Sequence, residues 1–285
     1  MSSAQQDGQK NNEAKARPLT AILLAAGKGT RMVSPLPKVL HPVAGKAMIE
    51  NVINACRAAG VEDVRVVAGH GLNLVKTVLE SFGVHIYVQA QQLGTADAVR
   101  SAQPDTIEGD VVILNGDHPL IEAEDIKQFI TEFQTRKLDL AVVTAELKNP
   151  REFGRIVRHK GSLAAIVEAK DASAETLKIR EVNTGIYIVR ADVLSEFLPM
   201  IKNNNLKKEF YLTDLISVSL SHQLKVDAIK GNKKVSVGVN NQQELAYATR
   251  LVFRRKAKRL MEAGVLIIDP TTVYIEDSVQ IDAGV

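Results

Sequence analysis

A glycine-containing loop directly after the first predicted strand constrains this chain most. Residues 19–24, Leu-Thr-Ala-Ile-Leu-Leu, are apolar or β-favouring and predict a buried strand. Gly27 and Gly29 follow, and such a loop exposes backbone N–H groups that form an anion-binding concavity. Three cations lie in the same stretch: Lys28, Arg31 and Lys38. Bare amides and fixed cations together favour a polyphosphate ligand.

The two best-known phosphate-loop motifs are both absent here. The dinucleotide fingerprint Gly-x-Gly-x-x-Gly fails at Met32, and no Gly-x-x-x-x-Gly-Lys-Ser/Thr loop occurs in the chain. A bare Gly-x-Gly pair is equally compatible with a plain tight turn. The loop alone therefore leaves the ligand open.

Helical and strand patterns alternate over the first half of the chain. The predicted helices lie at 48–56, 72–82, 95–103 and 123–136, and the predicted strands at 64–68, 84–89, 110–114 and 138–144. This alternation is typical of parallel βαβ crossovers and of a doubly wound sheet with helices on both faces. Ligands of such sheets bind at the carboxyl ends of the strands.

The second half has a looser pattern. It predicts strands at 155–158, 164–168, 182–189, 225–229 and 235–239, and helices at 189–201, 210–222 and 242–263. Polar turns join the first three of these strands. We expect this part to fold over the first half while sharing its sheet.

Composition and charge exclude several classes of protein. The net charge of +3, from 36 basic and 33 acidic residues, argues against a nucleic-acid or membrane-surface protein. The basic cluster 254–259 lacks interleaved aromatic residues, which favours a solvated helix face. No stretch approaches the roughly 20 apolar residues of a membrane span. The single cysteine, Cys56, allows no intramolecular disulfide and predicts a cytoplasmic protein.

The loop as a whole resembles a family signature. Gly27-Lys28-Gly29-Thr30-Arg31-Met32, followed by Pro37-Lys38, is similar to the signature of the sugar nucleotidyltransferases, and closely resembles that of the N-acetylglucosamine-1-phosphate uridylyltransferases. The resemblance implies transfer of a uridylyl group from UTP to N-acetylglucosamine 1-phosphate. It implies Arg31 and Lys38 as catalytic residues. The nucleotide-binding residues that it implies are Leu24, Ala25, Ala26, Gly27, Lys28 and Gly29.

The same resemblance implies a fold. It is an α/β, Rossmann-like, doubly wound mixed sheet, the nucleotide-diphospho-sugar transferase fold. The expected lobe formed by the second half would then be a lid or a sugar-binding lobe.

A glutamine-rich motif follows a predicted strand at 84–89. Its sequence is Gln89-Ala-Gln-Gln92-Leu-Gly94-Thr95. Side-chain amides offer a donor and an acceptor together, which complements the imide edge of uracil. The motif resembles the uridine-recognition segment of the family, which implies nucleotide binding by Gln89, Gln92, Gly94 and Thr95.

A carboxylate stands at the end of another buried strand, in Asn115-Gly116-Asp117. Mg²⁺ favours one or two carboxylates together with phosphate oxygens and water, so Asp117 is a candidate metal ligand. Asp117 could instead cap the helix that begins near Glu122, and Asn240 could cap the last helix. The family resemblance implies that Asn240 completes a Mg²⁺ site with Asp117.

Several later segments resemble the sugar-binding segments of the family. The resemblance implies that Gly154, Glu168 and Asn183 contact the hexose hydroxyls and the N-acetyl group. Phe210 departs from the family pattern, in which a tyrosine is usual. The full set implied for the sugar phosphate is Asn115, Gly116, Gly154, Glu168, Asn183, Tyr211 and Thr213.

The two ends of the chain differ from the rest. The predicted divisions are a disordered leader at 1–18, a nucleotidyltransferase domain at 19–241, a linker helix at 242–264 and a separate segment at 265–285. In the last segment aliphatic residues recur every six positions, at Ile275 and Ile281 and again at Val279 and Val285. This hexad is typical of a β-helix, although a plain C-terminal strand is also compatible with it.

The resemblance makes residues 265–285 the truncated start of a left-handed β-helix. In the family, the complete β-helix forms trimers and transfers an acetyl group. We therefore expect no acetyl transfer by this chain, and a monomer or weak oligomer in place of a trimer.

Two functional alternatives remain open. A related sugar-1-phosphate nucleotidyltransferase with another base or hexose would share the loop motif. A non-catalytic regulatory or scaffold subunit could share the fold, but the joint presence of Arg31, Lys38, Asp117 and Asn240 argues against it. The group at C2 of the sugar and the role of Lys28 do not follow from the sequence.

Overall fold

The computed structural model describes residues 17–285, so the predicted leader at 1–18 lies outside the described residues except for its last two. The strands are β1 Leu19–Ala25, β2 Pro42–Val43, β3 Lys46–Ala47, β4 Asp63–Ala68, β5 His85–Val88, β6 Asp110–Asn115, β7 Leu140–Glu146, β8 Arg155–His159, β9 Ser162–Val167, β10 Glu181–Arg190 and β11 Val226–Lys230. The helices are α1 Met48–Ala58, α2 Leu72–Leu79, α3 Thr95–Ser101, α4 Ala123–Thr135, α5 Ala191–Phe197, α6 Asp214–Ser221 and α7 Gln242–Glu262.

One mixed sheet organises these elements, in the order β11-β7-β10-β6-β1-β4-β5. Strand β1 pairs in parallel with β4 and β6, whereas β10 runs antiparallel between β6 and β7. Strands β8 and β9 form a hairpin that joins the sheet through β10. The predicted doubly wound mixed sheet is confirmed, and the second half of the chain shares it.

Apolar side chains cover both faces of the sheet. Helices α1, α2 and α4 pack on one face around Ile53 and Phe129. Helices α3, α5 and α6 pack on the other face around Ile22 and Leu194. The central parallel strands are buried on both faces, which is why they are continuous apolar runs in the sequence. No helix among the described residues is long and apolar enough to cross a membrane.

A third, smaller apolar cluster holds α7 against the glycine loop. It contains Met32 from the loop, Met48 at the start of α1, Val239 just before α7 and Val252 within it. Met32 is 1% exposed. The loop after β1 is thus anchored by an apolar side chain, although the function predicted for it depends on polar groups.

Glu122 adds an electrostatic contact between α7 and the sheet domain. Its carboxylate accepts hydrogen bonds from Lys234 and Arg259 and lies 3.4 Å from Nη1 of Arg255. Lys256 donates to the carbonyl of Asp277 at 2.9 Å. The interpretation of cluster 254–259 as a solvated face is therefore only partly right. Three of its residues, Arg255, Lys256 and Arg259, hold the helix against Glu122 and the backbone of Asp277.

Three predicted elements differ from the structure, and one of them is the helix predicted at 210–222, which begins at Asp214. Residues 233–236 form a 3-10 turn capped by Asn232, and the predicted strand at 235–239 is wrong. Instead of pairing in a ladder, Val239 donates its N–H to the carbonyl of Asp117 at 3.0 Å. The helix predicted from residue 189 begins at Ala191, because the preceding residues complete β10.

The glycine loop contains a strained residue. Val33 follows the anchored Met32, has a φ of 48°, and its side chain is 91% exposed. A β-branched residue in the left-handed region costs on the order of 1 kcal/mol, whereas Asn tolerates that region. We expect Val33→Asn to raise the free energy of unfolding by up to about 1 kcal/mol in urea denaturation. Val33→Thr stays β-branched, and an equal gain in that variant would contradict the strain argument.

Candidate active site

A cavity of about 280 Å³ opens at the carboxyl ends of β1 and β6. It lies where parallel strands of a doubly wound sheet end, the usual ligand position in such folds. Its lining residues are Leu24, Ala25, Ala26, Gly27, Lys38, Val39, Gln89, Gln92, Gly94, Thr95, Ala98, Asn115, Asp117 and Glu209. The cavity thus brings together the glycine loop, the glutamine motif and the Asp117 segment.

The glycine loop folds back tightly onto Lys38. Gly29 has a φ of 60°, and a Cβ at this position would lie 2.7 Å from the Cβ of Lys38. A side chain at residue 29 would therefore be strained and would push Lys38 out of place. Gly29 serves the loop by this close approach, and neither Gly29 nor Lys28 lines the cavity.

The glutamine motif contacts the rest of the site through its amide nitrogens. Gln92 donates from Nε2 to the carbonyl of Ala26 at 2.8 Å, which ties the motif to the glycine loop. Gln89 is only 5% exposed and donates from Nε2 to the carbonyl of Gly94 and to Oδ2 of Asp97. Both glutamines are held by the protein, unlike solvated surface glutamines.

Backbone contacts join the glutamine motif to the segment before α6. Gly94 has a φ of 121°, and a Cβ there would lie 2.4 Å from the carbonyl oxygen of Phe210. Ala96 donates its N–H to that same carbonyl at 2.9 Å, and the hydroxyl of Thr95 accepts the N–H of Leu212 at 2.9 Å. The predicted nucleotide and sugar-phosphate segments are therefore neighbours.

The other end of the cavity is organised by an ammonium group between two oxygen ligands. Nζ of Lys38 donates to Oδ2 of Asp117 and, at 3.1 Å, to Oδ1 of Asn240. The side chains of Lys38 and Asp117 are 16% and 15% exposed. A positive charge thus occupies the point at which these carboxylate and amide oxygens converge.

The charge state of this cluster follows from its contacts. Burial would raise the pKa of Asp117, but the charge of Lys38 and the hydrogen bond from Lys38 act against burial, and the pKa is lowered. Burial lowers the pKa of His118, whose Nε2 lies 3.6 Å from Oδ1 of Asp117. At neutral pH the cluster therefore contains an ionised Asp117 beside an uncharged imidazole.

Asn240 is positioned by the first turn of α7. Its N–H donates to Oε2 of Glu244 at 2.8 Å, while the side chain of Asn241 caps the helix by accepting the N–H of Glu244 at 2.9 Å. Gln242 donates to the carbonyl of Met32 at 3.0 Å. Asn241, rather than Asn240, is the helix cap, so the side chain of Asn240 remains available to the site.

The oxygens at this position suit a hard divalent cation. Oδ1 of Asp117 is buried and has no hydrogen-bond partner among residues 17–285. Within the same residues, no three His, Cys, Asp or Glu side chains cluster as a metal centre. A cation bound by Asp117 and Asn240 would therefore take its remaining oxygen ligands from a bound phosphate and water.

The residues predicted to contact the sugar lie together beyond Arg31. The N–H of Asn183 donates to the carbonyl of Gly154 at 2.9 Å, and a Cβ on Gly154 would lie 3.5 Å from Oε1 of Glu168. Burial raises the pKa of Glu168, and the charges of Asp171 and Asp214 raise it further. Glu168 and Tyr211 line a cleft that also includes Arg31.

Arg31 forms an ion pair that sequence reasoning missed. Its Nη1 lies 2.9 Å from Oε2 of Glu152, and the two side chains are 59% and 76% exposed. The pair bridges the glycine loop and the β7–β8 loop, and both residues line a cleft with Asn240. Any phosphate that binds Arg31 must compete with this carboxylate.

Comparison with known proteins assigns the family. The family model described as the MobA-like NTP transferase domain matches residues 21–183. The chain belongs to the MobA-like NTP transferase domain family. Its curated relatives include "Bifunctional protein GlmU" of Bdellovibrio bacteriovorus, 70% identical over 266 residues, and that of Marinobacter nauticus, 41% identical over 268 residues. In both cases the match covers 93% of this transferase chain and 58% of the relative's length.

Solved structures agree on the fold of the transferase domain. A crystal structure of apo UDP-glucose pyrophosphorylase superposes with a TM-score of 0.66 at 16% identity, covering 84% of this chain and 99% of that one. UDP-glucose pyrophosphorylase complexed with UDP-glucose gives the same TM-score and coverages at 17% identity. At such low identities these matches establish the fold alone.

The structure brings most, but not all, of the predicted site residues to the main cavity of the transferase domain. Arg31, Glu168, Tyr211 and Asn240 lie in the adjoining clefts. Three contributors were missed: Glu209, Glu152 and Asp97. Glu209 directly precedes Phe210 and Tyr211, in a segment that the sequence analysis had already singled out. Glu152 lies 121 positions from its partner Arg31, and no local sequence pattern points to it.

We expect Glu152→Gln to strengthen nucleotide binding, because Arg31 then has no competing carboxylate. An exposed ion pair contributes at most about 1 kcal/mol, so the KM for the nucleoside triphosphate should fall by no more than about fivefold at low salt. High salt should abolish the difference. Steady-state kinetics at two ionic strengths tests this.

Glu175 provides a matched control for Glu152. It pairs with Lys178 at 2.7 Å, and both side chains are exposed. If Glu175→Gln lowered the KM for the nucleoside triphosphate equally, the effect would reflect net charge and not the Arg31 pair.

Glu168→Gln should stabilise the fold at neutral pH. Because the pKa of Glu168 is raised in the folded state, ionisation of this carboxyl weakens stability as the pH rises above the usual glutamate value of about 4.3. Below that value both states are protonated and the gain should vanish. Urea denaturation between pH 4 and pH 8 measures it; a gain independent of pH would exclude this explanation.

Proposed function

We propose that this chain is a Mg²⁺-dependent cytoplasmic uridylyltransferase. It converts UTP and N-acetylglucosamine 1-phosphate to UDP-N-acetylglucosamine and pyrophosphate. The observation that carries the proposal is the convergence of Lys38, Asp117 and Asn240 beside the glycine loop. The 70% identity to the Bdellovibrio GlmU protein supports it, within the 58% of that protein that this chain spans.

The reaction requires positioning and charge stabilisation more than proton transfer. The sugar phosphate is already an anionic nucleophile, so no general base is needed. The enzyme has to hold it in line with the α-phosphorus of UTP and stabilise charge on the transition state and on pyrophosphate. Arg31, Lys38 and the loop amides have the charge and position for this task.

Asp117 and Asn240 would hold the metal ion. When bound, Mg²⁺ supplies a positive charge that neutralises phosphate oxygens. Their oxygens already converge on the ammonium of Lys38, which would then turn toward the phosphates. Val39 and Ala98 contribute apolar side chains to the lining of the same cavity.

The C-terminal residues 265–285 are proposed to begin a left-handed β-helix. They contain no strand, but Gly284 donates its N–H to the carbonyl of Gly264 and Leu266 donates to that of Val285, at 3.0 and 2.9 Å. These bonds close one loop of about the length of a β-helix coil. From the family resemblance alone, we propose a trimer for a full-length protein and a monomer or weak oligomer for this chain.

Asp117→Ala should abolish Mg²⁺-dependent release of pyrophosphate from UTP. The loss should be at least about a hundredfold, as for removal of a group that stabilises transition-state charge. Near-normal turnover by a folded Asp117→Ala protein would contradict the metal assignment. Asp105→Ala, which removes an exposed carboxylate outside the cavity, is the matched control.

The same assay separates the alternatives. Turnover of dTTP or GTP in preference to UTP, or of another hexose 1-phosphate, would indicate a related nucleotidyltransferase. Binding without turnover of any pair would indicate the regulatory or scaffold subunit.

A further inference from the structure

The side chain of Gln89 has its hydrogen-bond donors fully engaged. It lines the main cavity and is 5% exposed. Its Nε2 lies 2.7 Å from Oδ2 of Asp97 and 3.1 Å from the carbonyl oxygen of Gly94. A primary amide has two N–H donors, so these two contacts use both of them.

The partners determine which way the amide faces. A carboxylate and a backbone carbonyl only accept hydrogen bonds, so the nitrogen of Gln89 must face both. Rotating the amide by 180° would put Oε1 against two acceptor oxygens in a buried place. Oε1 is thus the polar atom of the Gln89 side chain that is left for a ligand. It can accept a hydrogen bond from the ligand but cannot donate one.

We propose that Asp97 is a positioning residue that selects a pyrimidine carrying an imide N–H. The proposal rests on the proposed function, in which the nucleotide base lies at Gln89. The N3 position of uracil is a donor, which the fixed Oε1 can accept. The N3 of cytosine is an acceptor, so the same oxygen would repel it. Base choice then depends on a carboxylate that does not itself line the cavity.

The location of Asp97 supports an indirect role. It stands in the first turn of α3, two residues after Thr95, and reaches the cavity only through Gln89. A carboxylate in the first turn also stabilises the helix, and a purely structural role is the competing explanation. A selectivity measurement distinguishes the two roles, because helix stability affects all nucleotides alike.

Asp97→Asn provides the test. An asparagine amide can donate to Oε1 of Gln89, so the Gln89 amide is no longer restricted to one orientation. We expect the ratio of kcat/KM for UTP over CTP to fall by about tenfold, the worth of one hydrogen bond to a buried group. The KM for N-acetylglucosamine 1-phosphate should not change. Asp97→Glu, which keeps the carboxylate, should retain most of the selectivity.

The matched control is Asp105→Asn, the same chemical change at an exposed carboxylate just beyond α3. It should leave the UTP-to-CTP ratio unchanged. If Asp97→Asn turns over slowly, equilibrium titration with UTP and CTP measures the selectivity as the ratio of the two dissociation constants.

One outcome would overturn the inference alone: an unchanged UTP-to-CTP ratio in Asp97→Asn. If that unchanged ratio came with an equal loss for both nucleotides, Asp97 would be structural. If the unaltered chain neither binds nor turns over UTP, the proposed function fails, and the inference fails with it.

Discussion

The ammonium of Lys38 between Asp117 and Asn240 is the contact on which the site depends. It joins three segments: the loop after β1, which contains Lys38, the end of β6 and the start of α7. Asp117 and Asn240 lie 79 and 202 positions after Lys38 in the sequence. A buried carboxylate that loses its cation is strongly destabilised. The requirement for a positive charge at this point therefore holds the three segments together, and it also creates a place that a metal ion can take.

Helix α7 belongs to the site although it lies outside the sheet. Asn240 is correctly placed only if the helix start is fixed, and Asn241, Glu244 and the bond from Gln242 to the glycine loop fix it. Farther along, Arg255 and Arg259 meet the carboxylate of Glu122, five residues after Asp117. Both ligands of the proposed metal are thus braced by the same helix.

The sequence predicted those features that depend on local pattern. The alternation of strands and helices follows from apolar periodicity, and the loop after β1 and the carboxylate after β6 are neighbours because parallel strands end at one edge. The turn at 233–236 was missed because 235–239 has a strand-like composition while its backbone bonds to Asp117. The pairs of Arg31 with Glu152 and of Gln89 with Asp97 depend on tertiary contacts and on rotamers, which no local pattern encodes.

The two paired cations of the cleft differ in how readily they can be released. Arg31 and Glu152 are both more than half exposed, so water compensates either partner and a phosphate can displace the carboxylate at little cost. Lys38 and Asp117 are mostly buried, and moving the ammonium toward a phosphate would leave an ionised carboxylate without compensation. On the proposed function, an anion alone would be able to engage Arg31, whereas Lys38 would be released only if another cation were held by Asp117 and Asn240. The burial of one pair and the exposure of the other would then make the contact of Lys38 with a nucleotide depend on the metal ion, while the contact of Arg31 would not.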